Sequence, residues 1–373
     1  MQATQTAPTP AAPKSEEELA DWLCLIRSRR VGPQTFFRLM AEHGSAKSAL
    51  AALPGIAADA GVADYACCTR AMAEAEIGAG RMAGAALIPF GDPRYPALLA
   101  EIPDPPPLFW ALGRIELLKR DMIAMIGARN ASSLGLRMAR KLATDLSGSG
   151  HLLVSGLARG IDTVVHEAAA EKCSVAVLAG GVDVVYPREN AVLAQEIQDN
   201  GLRLSEMPPG TVAQARHFIQ RNRIIAGLAR ATVVVEAAAK SGSMATARRA
   251  CGQGRGVLAV PGHPFDARAA GCNMLIRDGA HLVRSAADIL EAVSPAPPAR
   301  LNPHQTELSF APADAPRTNL RRDIIALLNN SPVAEDSLIR DLGTTPAQAN
   351  AVLLMMEAEG DLIRTNDGLL ARS

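Results

Sequence analysis

The 373-residue sequence is poor in aromatics, has no paired cysteines and carries no net charge, and each shortage removes a class of function. Phe, Trp and Tyr together make up 3% of the chain, so an extended platform on which successive bases stack is excluded. The six cysteines, at 24, 67, 68, 173, 251 and 272, form no CxxC pair and have no histidine at ligand spacing. That argues against structural zinc and fits a reduced cytoplasm, and no metal site is expected. With 38 basic and 38 acidic residues, no overall field draws the protein to a polyanion or a membrane, and a polyanion site must be local. No uninterrupted apolar run approaches the roughly 18 residues of a membrane span. The opening "MQATQTAPTPAAPKSEEE" has neither a basic n-region nor an apolar h-region. The expectation is a soluble, unexported, cytoplasmic protein without a membrane partner.

What is present divides into segments. Residues 1–16 are Pro, Ala and Thr with little to bury and read as a disordered tail. Over 17–84 the apolar spacing is helical, with breaks at "RVGPQT" (30–35) and "LPGIA" (53–57), each expected to be a tight turn between short helices. This pattern suits a helix-hairpin-helix or SAM-like module, which serves either phosphate contact or plain packing. Over 85–291 short apolar runs alternate with helical segments: "MIAMIG", "HLLVSG", "SVAVLAGG", "LRLSE", "ATVVVEA" and "GVLAVPG". Repeated strand, helix, strand predicts an α/β, Rossmann-like, doubly wound and mostly parallel sheet with its ligand edge at the strand ends. A Pro-rich linker is expected over 292–318. Three helices and a hairpin turning at "NDG" over 319–373 have the pattern of a winged helix.

The strand ends carry the chemistry. "GARNASSLG", "SGLARGID", "AGGVDVVYPREN" and "EAAAKSGSMATA" each place small residues before a helix start, where free amides favour an anion. Candidate anion-holding positions are Gly127, Asn130, Ser132, Ser155, Gly156, Arg159, Gly180, Gly181 and Lys240. Neither GxGxxG nor GxxxxGK[ST] occurs at these positions. Between residues 211 and 255 eight Arg or Lys stand against one acid, whereas from 155 to 210 four stand against eight, so the neutral total hides a basic stretch. Guanidinium forks beside amide-lined loops suit a run of phosphates. Phe218 or Tyr186 is available to stack on an unpaired base.

Ser155, Asp162 and His166 invite a hydrolytic reading, but the nucleophile elbow GxSxG is absent and Ser155 precedes the helix that carries the other two. A backbone anion cradle with no catalytic residue is the preferred reading, with His166 a satisfied helix histidine. Glu236, closing the run "VVVE", is expected to face the ligand edge or to pair with a neighbour such as Arg223.

The set "MIGARNASSLG", "LLVSGLARGIDTVVHEAA", "VAVLAGGVDVVYPREN", "LSEMPPG", "FIQRNRIIAGLARATVVVEAAAKSGSMATARRA" and "AVPGHPFDARAAGCNMLIRDGA" resembles the DprA (Smf) DNA-processing family over about 89–284. The flanking modules match that family's SAM-like and winged-helix accessories. The resemblance implies a non-enzymatic, cofactor-free homodimer that binds single-stranded DNA, works beside single-strand-binding protein, and helps load RecA during natural transformation or recombination. By motif position it implies DNA contacts from Arg129, Arg188, Arg221, Asn222, Arg223, Ser241, Gly242 and Ser243. Residues 257–280 fall where the family places its dimer and RecA surfaces. The competing enzyme reading is a nucleotide hydrolase of the lysine-decarboxylase-like (LOG) type, whose PGGxGT signature is missing. A nucleotide-sensing adaptor is a third reading. In the last module, helix 345–360 has no Arg or Lys and two glutamates, which favours protein contact over duplex reading.

Overall fold

The computed structural model describes residues 10–169, 173–294, 317–328, 333–365 and 369–372. It separates into two compact units, Met1–Pro295 and Ala296–Ser373. Of the expected tail, 1–9 lies outside the described residues. Residues 10–14 form no regular element, and Ser15 caps the first helix by accepting a hydrogen bond from the Glu18 amide.

Four helices open the first unit: α1 (Glu16–Arg27), α2 (Pro33–His43), α3 (Ala46–Asp59) and α4 (Arg70–Met82). The expected turn at 30–35 is there, with Pro33 starting α2. The second expected turn is not, because "LPGIA" lies inside α3. Pro54 removes the donor that the Leu50 carbonyl would have used, and the Cys67 thiol donates to that carbonyl instead at 3.7 Å. The helices share one apolar core with the sheet that follows. A polar seam closes over it, where Glu76 accepts from Trp110 Nε1 at 3.0 Å and from Arg27 Nη2 at 2.8 Å.

The sheet runs through β1 (Ala86–Pro89), the single turn α5 (Ala97–Ala100), β2 (Leu108–Gly113), β3 (Met122–Ile126), α6 (Ser133–Gly148), β4 (Leu152–Ser155), α7 (Ile161–Ala169) and β5 (Ser174–Val177). It continues through α8 (Ala191–Asn200), β6 (Leu202–Ser205), α9 (Ala215–Leu228), β7 (Ala231–Val234), α10 (Gly242–Gly252), β8 (Gly256–Ala259), α11 (Ala270–Arg277), β9 (His281–Leu282) and α12 (Ala286–Val293). The strand order is β1-β2-β6-β5-β4-β3-β7-β8-β9, parallel from β6 to β9 and antiparallel through β1 and β2. All six expected strand runs form strands; β1, β2 and β9 were not foreseen. In β3 the pleat sends Ile123 and Met125 to the core under α6 and α7, and Met122, Ala124 and Ile126 to the core under α9 and α10. The chain winds outward from β3 through β4, β5 and β6, then returns to β7 on the other flank of β3. The C-terminal ends of β3 and its neighbours are therefore the switch point, where an open α/β sheet opens a crevice.

Helix α12 runs to Val293, so the expected linker loses its first residues to a helix; the stretch 295–316 lies outside the described residues. The second unit holds α13 (Arg317–Leu328), α14 (Glu335–Asp341), α15 (Pro346–Ala358) and an antiparallel pair, β10 (Leu362–Arg364) with β11 (Leu370–Arg372). It has its own small core, including Ile324, Leu338, Leu353, Met356 and Leu362. The "NDG" turn lies outside the described residues, but the strands it joins pair as a winged helix requires.

Candidate nucleic-acid interface

A cleft of about 800 Å³ opens at the switch point, between the loop after β3, the start of α9 and the start of α10. Gly127, Arg129, Asn130, Phe218, Arg221, Asn222, Ser241, Gly242 and Ser243 all line it. Sequence positions more than a hundred residues apart meet here because β3 and β7 are neighbours in the sheet.

The floor is built around Arg221. Its Nη1 donates to the Gly156 carbonyl at 2.7 Å and to the Val177 carbonyl, so the guanidinium ties the ends of β4 and β5 to α9. Burial pulls its pKa down to about 10; the Asp162 carboxylate opposes that shift and the Arg129 charge adds to it. The side chain stays charged at neutral pH. Asp162 is itself buried, accepts from the Ala158 amide at 3.3 Å, and has its pKa raised by desolvation against the pull of Arg221. Above the floor, the Arg129 guanidinium lies 4.9 Å from the centroid of Phe218 and that of Arg221 5.9 Å from it. Tyr186 meets the same ring edge-on at 5.5 Å. Arg129 is exposed and no carboxylate neutralises it among the described residues. On the far side, Ser241 caps α10 through the Met244 amide at 3.4 Å, and Ser243 Oγ donates to the Gly127 carbonyl at 2.7 Å, fixing the helix start against the β3 loop.

Several expected positions lie elsewhere. Arg223 is buried away from the cleft, with Nη2 at 2.6 Å from both oxygens of Glu206 and Nη1 donating to the Asp104 carbonyl at 2.6 Å. Its charge is spent on structure. Ser132 and Glu236 hold each other: the Ser132 amide donates to Glu236 Oε2 at 2.8 Å and its hydroxyl to Oε1, while the same hydroxyl caps α6. Glu236 therefore neither faces the cleft nor pairs with Arg223. Ser155 is fully buried and donates to the Met125 carbonyl at 2.6 Å; His166 contacts Ser174 Oγ at 2.9 Å. Burial pushes the His166 pKa down to about 3. These bonds separate Ser155 from His166, so the two form no nucleophile–base pair.

Gly156, Gly180 and Gly181 are close-packed against protein instead of open to a ligand. A Cβ on Gly156 would meet the Arg221 guanidinium at 2.2 Å, and one on Gly180 the Thr211 carbonyl at 2.6 Å. Gly181 spends its amide on the Thr211 carbonyl at 2.8 Å, which holds the 208–213 segment beside the cleft. Arg159 pairs with Glu189 and lines a smaller adjoining groove with Arg129 and Tyr186. Arg188 and Lys240 are exposed at the margins, next to Pro187 of that groove and Ser241 of the cleft respectively. Sequence reasoning missed Arg268, which lines the cleft and pairs with Asp266 at 3.0 Å, and the apolar residues Ala213, Ala215 and Ile219. The position of Arg268 in the loop after β8 was the available signal. No group of His, Cys, Asp or Glu able to hold a metal occurs among the described residues, and no described helix is long and apolar enough to cross a membrane.

Comparison with known proteins accounts for nearly the whole described chain. Residues 86–294 match the family model of DNA recombination-mediator protein A, 16–79 that of the DprA-like N-terminal HHH domain, and 309–368 that of the DprA winged helix domain. The DNA processing protein DprA of Bacillus subtilis is 42% identical over 214 residues, 57% of this chain and 72% of the relative. That of Streptococcus pneumoniae is 43% identical over 201 residues, 53% of this chain and 71% of the relative. The X-ray structure of the Streptococcus pneumoniae protein superposes with a TM-score of 0.63 at 33% identity, covering 75% of this chain and 98% of that one. A structure of DNA processing protein A from Helicobacter pylori, described for its single-stranded DNA binding mode, superposes with a TM-score of 0.52 at 27% identity, covering 56% of this chain and 95% of that one.

Proposed function

Because this chain belongs to the DNA recombination-mediator protein A (DprA/Smf) family, we propose that it binds single-stranded DNA in the switch-point cleft and hands the strand to RecA during transformation or recombination. The observation that carries the reading is the pairing of an uncompensated Arg129 with a buried, charged Arg221 across one aromatic ring, inside a cleft edged by the β3 loop and a helix start. Phosphates would meet Arg129, Asn130 and the Ser241–Ser243 turn, with Arg188 and Lys240 extending the field at the margins. The Helicobacter pylori relative supports the choice of ligand.

The protein acts, in this reading, without catalysis, cofactor or metal, in the cytoplasm, beside single-strand-binding protein and as a homodimer. The 257–280 segment suits the dimer and RecA contacts, since Phe265 projects from it almost wholly exposed. The winged helix makes protein contacts: α15 carries no Arg or Lys, and the neighbouring Arg321 and Arg364 are held by Glu359, Asp361 and Glu335.

Fluorescence anisotropy with single-stranded and duplex oligonucleotides of equal length, across a salt series, tests the first step. Preference for the single strand with a log–log salt slope of about −0.7 per phosphate contact is expected. Equal affinity for both forms, or binding indifferent to salt, contradicts it. RecA filament nucleation on strands coated with single-strand-binding protein tests the second step, and no acceleration by this protein would remove RecA loading.

A further inference from the structure

The cleft has two chemically different sides. On the side of the β3 loop and α10 stand Arg129, Asn130, Ser241, Ser243 and Arg268, the last paired with Asp266; the side where the chain enters α9 presents Ala213, Ala215, Phe218 and Ile219, with Asn222 beyond them. Ile219 is 60% exposed, although it sits on a helix whose inner face already fills the core through Ile224, Ile225 and Leu228. Val212, one residue before Ala213, is 71% exposed. An apolar strip of this kind beside a cationic strip, continuous within one cleft, calls for an occupant with one charged edge and one apolar edge.

A single DNA strand is such an occupant, and a duplex is not, since stacking of its base pairs buries the base faces and leaves phosphates outermost. We propose that the α9 side is a base-resting wall, and that Ile219 with its alanine neighbours, more than any cation, makes the cleft prefer single strands. The proposal rests on the single-strand reading above and deepens it. Phe218 is less suited to the task than its chemistry suggests, because the Arg129 guanidinium already lies over its ring and Tyr186 abuts its edge. A base can rest on Ile219 and the alanines without displacing either. The contact is apolar and reads no base edge, so it discriminates strandedness and not sequence.

The test compares an ordinary oligothymidylate with an abasic strand of the same length and phosphate count, using wild type and Ile219→Ser. Wild type should bind the abasic strand about tenfold more weakly. Ile219→Ser should lose about five- to tenfold in affinity for the ordinary strand, with an unchanged salt slope and an unchanged affinity for the abasic strand. Ile219→Leu, which keeps the apolar volume, should restore wild-type behaviour. Because Ile219 is exposed, circular dichroism of the serine variant should match wild type. If Ile219→Ser weakens both strands equally, or neither, the base-resting wall is wrong while the phosphate cleft stands. If wild type binds neither strand, the single-strand reading itself has failed.

Discussion

Arg221 and Arg223 stand two residues apart on α9, separated by about 200° around the helix axis, and that rotation gives them opposite work. Arg221 turns to the sheet edge, bonds two strand-end carbonyls and keeps its charge at the floor of the cleft. Arg223 turns the other way, into a buried fork with Glu206 and the Asp104 carbonyl. One guanidinium anchors a surface that attracts anions; the other locks β6 and the 101–107 segment to α9. A cluster of arginines in a sequence is therefore not yet a binding site. What matters is which of them are hydrogen-bonded to a carboxylate, as Arg223 is to Glu206, and which bond backbone carbonyls, as Arg221 does.

The sharpest way to break this contrast is Arg223→Ala, which leaves the half-buried Glu206 without its partner and should cost about 3 kcal/mol of stability. Urea unfolding should show the loss, and the folded fraction should still bind single strands with wild-type affinity; a specific loss of binding at full stability would place Arg223 in the site after all. Next in size, Arg129→Glu should lower single-strand affinity about ten- to hundredfold and flatten the salt slope by about 0.7 or more, with the melting temperature unchanged. Normal affinity in that variant would remove the exposed half of the arginine pair from the interface.

Within the mildly acidic range, only the upper part of a further effect should be seen. His166 is held neutral by burial and by the nearby Arg221 charge, with its pKa lowered from 6.5 to about 3. A depressed histidine contributes stability that is fully present above the unfolded value of 6.5 and is lost as pH falls from there toward 3. Stability should decline over that window, and Arg221→Gln should raise the His166 pKa in an NMR titration; a histidine titrating near 6.5 in wild type would contradict its placement. The smallest change is expected from removing 317–373: single-strand affinity should shift less than twofold, because α15 carries no Arg or Lys and Arg321 and Arg364 beside it are already engaged by acids. A collapse of affinity would give the winged helix a DNA role that its acidic surroundings argue against.

Much of the fold was legible because parallel strands buried on both faces read as unbroken apolar runs, as in "MIAMI" and "SVAV". β9 was not, being two residues long, and β1 and β2 were obscured by the prolines in and around them. "LPGIA" misled because proline and glycine usually punctuate helices, and the Cys67 thiol that answers the freed carbonyl is invisible to local pattern. At the site, the loops after β3 and β7 were found through their small residues and their place at helix starts. The sequence did not reveal that Gly156 and Gly180 are small to admit Arg221 and the Thr211 carbonyl instead of a phosphate. Nor did it reveal that Glu236 belongs to Ser132, 104 positions away. Both depend on which loops the sheet order brings together.

The measurement closest to the central claim is photocross-linking of a 4-thiothymidine oligonucleotide to the full chain, with the attachment sites mapped by mass spectrometry. The switch-point cleft predicts cross-links in the peptides that carry Tyr186 and residues 215–223. Cross-links confined to α15 and the β10–β11 hairpin would contradict it.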